Sequence, residues 1–134
     1  MRLQLALNVR NIEEAVHYYS KLFDTPPHKR RAGYANFAIG NPPLKLVLIE
    51  NPSADDRINH LGVEAEQNEN LDAVMKRLER DGIADTIEDQ TTCCFATQDK
   101  VWSTEPQGLS WEWYTITDDN PSEANISKSS VCCA

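Results

Sequence analysis

The sequence predicts an α+β protein built from two similar strand–helix–strand halves. Each half begins with a segment of alternating polar and apolar residues, at 3–9 and at 59–64, followed by apolar residues at helical spacing. A shift of 56 residues places Gln4 on His60 and keeps the apolar phase of the two helices. These three observations indicate two halves of roughly 55–60 residues each in one domain.

The first half starts with the strand over residues 3–9, which has one apolar and one polar face. Asn11 is the expected N-cap of the following helix, and Glu14 stands three residues later as in a capping box. Pro26-Pro27 is the expected helix stop. Two further strands are predicted, at residues 34–39 and 44–49.

The second half repeats this order from residue 59. Its helix contains Leu71 and Leu78 and is expected to stop at Asp81-Gly82. Strands are predicted at 83–88, 93–97, 100–103 and 111–116. The predicted domain spans residues 1–117, with module one at 1–52, module two at 57–117 and a mobile, cysteine-containing tail at 118–134.

The chain is acidic, with 13 Lys and Arg against 21 Asp and Glu in 134 residues and a formal net charge of −8. Nucleic acids and anionic membranes bind basic surfaces, so we expect neither as a partner. No run of about 18 apolar residues is present, and the N-terminus lacks the apolar stretch of a signal peptide. We therefore expect a cytoplasmic protein.

Cysteine occurs only as two adjacent pairs, Cys93-Cys94 and Cys132-Cys133. Neighbouring cysteines close only a strained ring, and neither pair has the spacing of a CxxC zinc site. In a reducing compartment we expect free thiols. Buried cysteine often serves as a small hydrophobic residue, so Cys93-Cys94 fits either core packing or a role as a thiolate ligand pair.

Three polar side chains stand at equivalent positions on otherwise apolar strands: Gln4, His60 and Glu112. An amide oxygen, an imidazole and a carboxylate can bind a divalent metal on one face and leave other positions for substrate. Isolated polar residues are also ordinary on a half-exposed strand. Periodicity alone leaves both interpretations open.

Four stretches carry a family resemblance: residues 7–9, 14–19, 59–63 and 111–114. On these, the chain resembles the vicinal oxygen chelate superfamily, which includes glyoxalases, extradiol dioxygenases and bleomycin- and fosfomycin-resistance proteins. The resemblance covers residues 1 to about 117. It implies an α+β fold of paired βαβββ modules that form an open cup-shaped mixed sheet around a divalent metal.

The resemblance also implies the metal ligands. Carried over by position, they are Gln4, His60 and Glu112, where Gln4 replaces the histidine most common in the superfamily. The remaining ligand position falls near Lys45, which cannot ligate. The family site therefore retains three protein ligands in this sequence.

Residues 4–9, 33–38, 42–48 and 91–102 are similar, within that superfamily, to the bacterial arsenic- and cadmium-inducible proteins. Thr-Cys-Cys-Phe-Ala, at residues 92–96, is the most specific of these motifs. The group includes organoarsenical carbon–arsenic lyases, which are Fe(II)-dependent dioxygenases. The resemblance thus implies Fe(II) as cofactor, in a site that other divalent metals can also occupy, and O2 as co-substrate.

The cysteine pairs suit this chemistry. Trivalent arsenic is thiophilic and an organoarsenical has two exchangeable positions, so Cys93 and Cys94 are the predicted arsenic ligands. Adjacent side chains on a straight strand diverge, and a local bend is therefore required at this pair. Cys132 and Cys133 lie in the polar tail, either as thiols that deliver arsenic to the inner pair or as an incidental end.

Five further residues are candidates for the wall or lid of a pocket: Tyr34, Phe95, Gln98, Lys100 and Trp102. Tyr34 and Trp102 suit an aromatic arsenical, although core packing is the usual role of strand aromatics. Gln98 and Lys100 follow the cysteine pair closely and are expected in a lid.

The predicted function is that of an Fe(II)-dependent dioxygenase that cleaves the carbon–arsenic bond of trivalent organoarsenicals and releases arsenite, as a monomer or homodimer. A thiol protein that sequesters cadmium or arsenic without catalysis is one alternative. Another is a different vicinal oxygen chelate metalloenzyme, of the thiol transferase or glyoxalase type. A metal-free drug-binding module is a third.

Overall fold

The structure is a computed structural model that describes residues 1–67 and 69–122. Its elements, in chain order, are β1 (Arg2–Val9), α1 (Ile12–Leu22), β2 (Lys29–Arg31), β3 (Tyr34–Ile39), β4 (Leu44–Glu50), β5 (Ile58–Ala65), α2 (Leu71–Arg80), β6 (Thr86–Cys93), β7 (Ala96–Thr104) and β8 (Ser110–Asp118). Two successive βαβββ modules confirm the predicted α+β class. No helix among these residues is long and apolar enough to cross a membrane.

The chain divides into two compact units. We call Arg2–Leu61 the N-terminal unit, and Met1 together with Gly62–Ala134 the C-terminal unit. Strand β5 contains the boundary, so His60 belongs to the N-terminal unit, whereas Glu64 belongs to the C-terminal unit.

In the N-terminal unit, β1 pairs in parallel with β4, and β3 pairs antiparallel with both β4 and β2. Side chains alternate between the two faces of a strand, so this register separates an apolar face from a polar one. The apolar face packs on α1 and forms a core of Val9, Ile12, Val16, Ala35, Phe37, Ile39, Leu46 and Leu48. On the polar face, Gln4 lies level with Lys45, and both are buried.

The start of α1 agrees with the prediction. The Asn11 Oδ1 atom accepts a hydrogen bond of 2.9 Å from the Glu14 backbone N–H, as an N-cap does. The helix ends at Leu22, several residues before the expected stop at Pro26-Pro27. A turn therefore separates the helix from the two prolines.

In the C-terminal unit, β7 lies between β6 and β8 and is antiparallel to both. Helix α2 follows an Asn70 cap and ends at Arg80. Gly82 has a φ of +73°, which only glycine adopts easily, so the helix stops where the sequence predicted. Residues Leu71, Met75, Leu78 and Val101 form the core between α2 and the strands. Glu112 lies level with Trp102 in the β7–β8 register.

The strand predictions of the second half differ from the structure. Strand β6 covers Thr86–Cys93 and not residues 83–88. The strands predicted at 93–97 and 100–103 are not separate, because β6 ends at Cys93 and β7 runs unbroken over Ala96–Thr104. Strand β2 was not predicted, since three charged residues resemble a solvated loop. In the structure β2 pairs with β3, and Lys29 is buried there.

Glu105 closes the β7–β8 turn and gives this unit a predicted pH dependence. Its carboxylate accepts hydrogen bonds from the backbone N–H groups of Gln107 (2.9 Å) and Leu109 (2.8 Å), and these bonds hold the pKa of Glu105 below its ordinary value of 4.5. A carboxyl with a lowered pKa stabilises the fold above its unfolded pKa, and this stabilisation is lost as the pH falls through the folded pKa. We expect Glu105→Gln to lower the free energy of unfolding at neutral pH, with a deficit that shrinks under acid. Urea unfolding at several pH values measures this, and a pH-independent deficit would contradict it.

Candidate functional site

Gln4 and His60, two of the predicted metal ligands, come together in the N-terminal unit. Their Nε2 atoms are 2.9 Å apart, and the two residues are 5% and 4% exposed. Each sits on the polar side of its alternating strand, β1 for Gln4 and β5 for His60. The structure thus pairs an amide and an imidazole that the sequence separates widely.

The other ring nitrogen of His60 begins a chain of side-chain hydrogen bonds. His60 Nδ1 lies 2.7 Å from Asn59 Oδ1. Asn59 Nδ2 donates to Asn8 Oδ1 at 3.0 Å, and Asn8 Nδ2 donates to the backbone carbonyl of Asp56 at 2.9 Å. Sequence reasoning missed Asn8 and Asn59, although Asn8 shares the polar face of β1 with Gln4.

Glu112, the third predicted ligand, lies in β8 of the C-terminal unit and is 5% exposed. Its Oε2 atom accepts a hydrogen bond of 2.8 Å from Lys100 Nζ, an ion pair in which Lys100 is only 1% exposed. The ammonium also lies over the rings of Trp102 (5.4 Å) and Tyr114 (5.7 Å). A buried charge is tolerated when it is paired in this way, and sequence reasoning did not assign this role to Lys100.

The Lys100 ammonium reaches the cysteine motif as well. Its Nζ atom donates to Cys93 Sγ at 3.6 Å, a long contact that sulfur acceptors allow. One nitrogen therefore contacts both the carboxylate of Glu112 and the sulfur of Cys93. Within the C-terminal unit, a predicted metal ligand and a predicted arsenic ligand share a neighbour.

The two adjacent cysteines lie where the chain reverses between β6 and β7. Cys93 pairs with Ala96, and the two residues between them, Cys94 and Phe95, have φ values of +50° and +66°. Two-residue hairpin turns of type I′ need positive φ at both central positions, which usually favours asparagine and glycine. This turn supplies the bend that the sequence required at the cysteine pair.

Both cysteines are disulfide-bonded in the structure, and no described cysteine is a free thiol. The prediction of free thiols at Cys93 and Cys94 is therefore wrong for this oxidised state. A disulfide sulfur has no thiolate to offer arsenic, so arsenic binding requires reduction of both residues first. Cys132 and Cys133 lie outside the described residues.

Gln98 and Lys100 do not belong to a lid. Both are buried in strand β7, and Gln98 Nε2 donates a hydrogen bond of 2.7 Å to the backbone carbonyl of Cys93. That bond ties the last residue of β6 to the next strand. Phe95 lies in the turn and Trp102 in β7, and both are half-buried.

Tyr34 is buried in the N-terminal unit, and its hydroxyl accepts a hydrogen bond of 3.0 Å from Asn36 Nδ2.

Within residues 1–67 and 69–122, no group of three or more His, Cys, Asp and Glu side chains is placed to hold a metal ion. The predicted donor set is of a different kind, because the amide of Gln4 replaces one of those residue types.

Comparison with known proteins agrees with the fold. The model of the Glyoxalase/Bleomycin resistance protein/Dioxygenase superfamily matches residues 3–113. Among solved structures, a member of that superfamily from Vibrio splendidus is similar with a TM-score of 0.57 and 13% sequence identity, over 85% of this chain and 97% of that one.

Two curated relatives are much closer in sequence. The cadmium-induced protein CadI of Mycobacterium bovis is 48% identical in an alignment 140 residues long, which covers 98% of this chain and 92% of CadI. A trivalent organoarsenical cleaving enzyme of Thermomonospora curvata is 48% identical over 132 residues, which cover 98% of this chain and 87% of that enzyme.

Proposed function

Because this chain belongs to the glyoxalase/bleomycin resistance protein/dioxygenase superfamily, we propose that it cleaves the carbon–arsenic bond of trivalent organoarsenicals with Fe(II) and O2. The observation that carries the proposal is the Lys100 ammonium, which contacts both Glu112 and Cys93. The similarity to an enzyme named for organoarsenical cleavage supports the substrate class. We place the activity in the cytoplasm, in a monomer or homodimer.

In this proposal, Gln4, His60 and Glu112 hold the metal. Their donor atoms fit Fe(II), because an amide oxygen, an imidazole nitrogen and a carboxylate oxygen are ligands of intermediate to hard character. The contact between Gln4 and His60, whose Nε2 atoms lie 2.9 Å apart, supports this choice of ligands. When bound, Fe(II) supplies the one-electron chemistry that O2 needs for reaction with a closed-shell substrate.

The reduced cysteines bind the substrate. The thiols of Cys93 and Cys94 exchange with the two hydroxyl groups of an organoarsenical RAs(OH)2, which forms two As–S bonds and releases two water molecules. Two bonds from one turn fix the arsenic and orient the remaining As–C bond, which lowers the entropic part of the barrier. Since both residues are disulfide-bonded in the structure, a thiol reductant must first convert them to thiols and is itself oxidised to a disulfide; this step precedes substrate binding and is not part of the cleavage reaction.

The overall reaction balances for the methyl compound. Methylarsonous acid, CH3As(OH)2, and O2 give arsenous acid, As(OH)3, and formaldehyde, CH2O. The As–C bond, one C–H bond of the methyl group and the O–O bond break, while a C=O bond, an As–O bond and an O–H bond form. Arsenic stays trivalent, the carbon loses four electrons and O2 gains them.

An oxygen-dependence experiment tests this proposal. Reduced protein, loaded anaerobically with Fe(II) and mixed with methylarsonous acid, is expected to release arsenite only when O2 is admitted, together with an equal amount of formaldehyde. Protein loaded with Zn(II) is the control, because zinc has no redox chemistry and should give no product. Cleavage that continues without O2 would rule out the dioxygenase.

A second candidate function is sequestration of thiophilic metals without catalysis. The paired cysteines at the β6–β7 turn and the similarity to cadmium-induced CadI favour it. Such a protein would bind arsenic through Cys93 and Cys94 and release no arsenite under O2. The experiment above therefore separates the two functions.

A further inference from the structure

We infer that Asn59 and Asn8 are positioning residues, which hold His60 in the tautomer that carries its hydrogen on Nδ1 and leaves a lone pair on Nε2. The inference deepens the proposed function, on which it rests for the identity of the metal. The hydrogen-bond geometry itself lies entirely within the N-terminal unit. The hydrogen bonds join four residues, Asp56, Asn8, Asn59 and His60, and we call this group the asparagine relay.

The direction of the relay follows from its far end. The backbone carbonyl of Asp56 can only accept a hydrogen bond, so the atom of Asn8 that faces it is Nδ2. Asn8 then presents Oδ1 to Asn59, and that oxygen also only accepts, so Asn59 must face it with Nδ2. Asn59 is left with Oδ1 toward the ring.

The last step determines the tautomer of the ring. Asn59 Oδ1 lies 2.7 Å from His60 Nδ1, and two acceptors cannot form a hydrogen bond with each other. Nδ1 must therefore carry the hydrogen. A neutral imidazole has one N–H, so Nε2 holds a lone pair and accepts a hydrogen bond from the Gln4 amide at 2.9 Å.

Gln4 by itself does not determine this outcome. An amide carries both a donor and an acceptor, so a contact between an amide and a ring nitrogen is compatible with either tautomer. In the tautomer with hydrogen on Nε2, His60 has no lone pair at Nε2 and cannot bind a metal there. The asparagine relay favours the tautomer with hydrogen on Nδ1, because Asn59 Oδ1 can only accept.

Burial and backbone pairing keep the relay in place. His60 and Asn8 are buried and Asn59 is half-buried, so water has limited access to the hydrogen bonds between these three side chains. The acceptor is also held, because the Asn8 backbone N–H donates a hydrogen bond of 2.7 Å to the carbonyl of Arg57, the residue after Asp56. This backbone hydrogen bond thus holds the segment around the Asp56 carbonyl against β1.

Nitrogen NMR of the metal-free, reduced protein tests the inference, because the two-bond couplings of a histidine ring distinguish its tautomers. At alkaline pH, the neutral ring of wild-type His60 is expected to carry its hydrogen on Nδ1. Asn59→Leu should populate the tautomer with hydrogen on Nε2 and weaken Co(II) binding about 10- to 100-fold, as is usual for loss of a partner that orients a metal ligand. Asn59→Asp keeps an acceptor for Nδ1–H and should preserve the wild-type tautomer.

Asn36→Leu is the matched control, because Asn36 is a buried asparagine of the same unit outside the relay. It should change neither the His60 spectrum nor Co(II) affinity. Hydrogen on Nε2 in the wild type, or an unchanged tautomer in Asn59→Leu, would overturn the inference. So would equal losses of Co(II) affinity in Asn59→Leu and Asn36→Leu.

The proposed function can fail separately. Wild-type protein that shows hydrogen on Nδ1 and binds Co(II), but releases no arsenite under O2, upholds the relay and refutes the dioxygenase. The tautomer spectra decide the relay without any activity measurement.

Discussion

Cys93→Ser is expected to reduce arsenite release from trivalent organoarsenicals by more than about a hundredfold. A serine hydroxyl has little affinity for trivalent arsenic, so the substrate would keep one As–S bond, to Cys94, and rotate about it. The remaining As–C bond is then no longer oriented. Loss of this size is typical when a reacting group is misplaced by about 1 Å.

Two measurements check this prediction. Arsenite release is followed under O2 with reduced, Fe(II)-loaded protein, and arsenic bound per protein is measured before O2 is added. Thr92→Ser is the control, because Thr92 is the buried neighbour of Cys93 and its hydroxyl bonds to Thr97 Oγ1 at 3.0 Å, which serine can retain. Wild-type turnover in Cys93→Ser would remove the cysteine pair from the proposed mechanism.

Glu112→Gln is expected to weaken metal binding and turnover by at least about a hundredfold and also to destabilise the fold. The substitution removes the negative charge that Lys100 pairs with at 2.8 Å, and it leaves a buried ammonium without its counter-charge. Breaking a buried ion pair from one side typically costs about 3–5 kcal/mol. The loss of activity and the loss of stability therefore have to be separated.

The double variant Lys100→Met/Glu112→Gln separates them. Both charges are gone, so the free energy of unfolding should recover toward the wild-type value, while Co(II) binding stays weak because the carboxylate ligand is absent. Recovery of Co(II) affinity together with stability would show that Glu112 acts through the fold and not as a ligand.

Glu64→Gln is the matched control for Glu112→Gln. Glu64 accepts a hydrogen bond of 2.7 Å from the Tyr114 hydroxyl in the same unit, and a glutamine oxygen can accept it too. We expect a change in the free energy of unfolding of about 1 kcal/mol or less and unchanged Co(II) binding. If Glu64→Gln weakened Co(II) binding as much as Glu112→Gln, removal of any carboxylate of this unit would have the same effect on Co(II) binding.

Much of the fold was predictable because its signals are local. Alternation placed Gln4 on the polar side of β1, and helical spacing with caps located both helices to within a few residues. Strand β2 was not predicted, because the alternation of polar and apolar residues cannot be recognised over only three residues. The hairpin turn at Cys94 and Phe95 also escaped, because neither residue type signals a positive φ.

The site was predictable only in part, for a related reason. Alternation singles out Gln4, His60 and Glu112 as polar side chains on otherwise apolar strands, and all three are buried, but their role as metal ligands stays a prediction. Their hydrogen-bond partners were not found. Asn59 and Asn8 are 51 residues apart, and Lys100 meets Glu112 through the register of two strands.

The sequence by itself determined the two strand–helix–strand halves and the face of each strand on which the candidate ligands lie, because a period of two residues is a property of the extended backbone. The tertiary structure alone decided which atoms meet: the imidazole with Gln4 and Asn59, the ammonium of Lys100 with Glu112 and Cys93, and the cysteine pair with a tight turn. Such contacts depend on register and on turn geometry. Neither is encoded in the residues that make the contact.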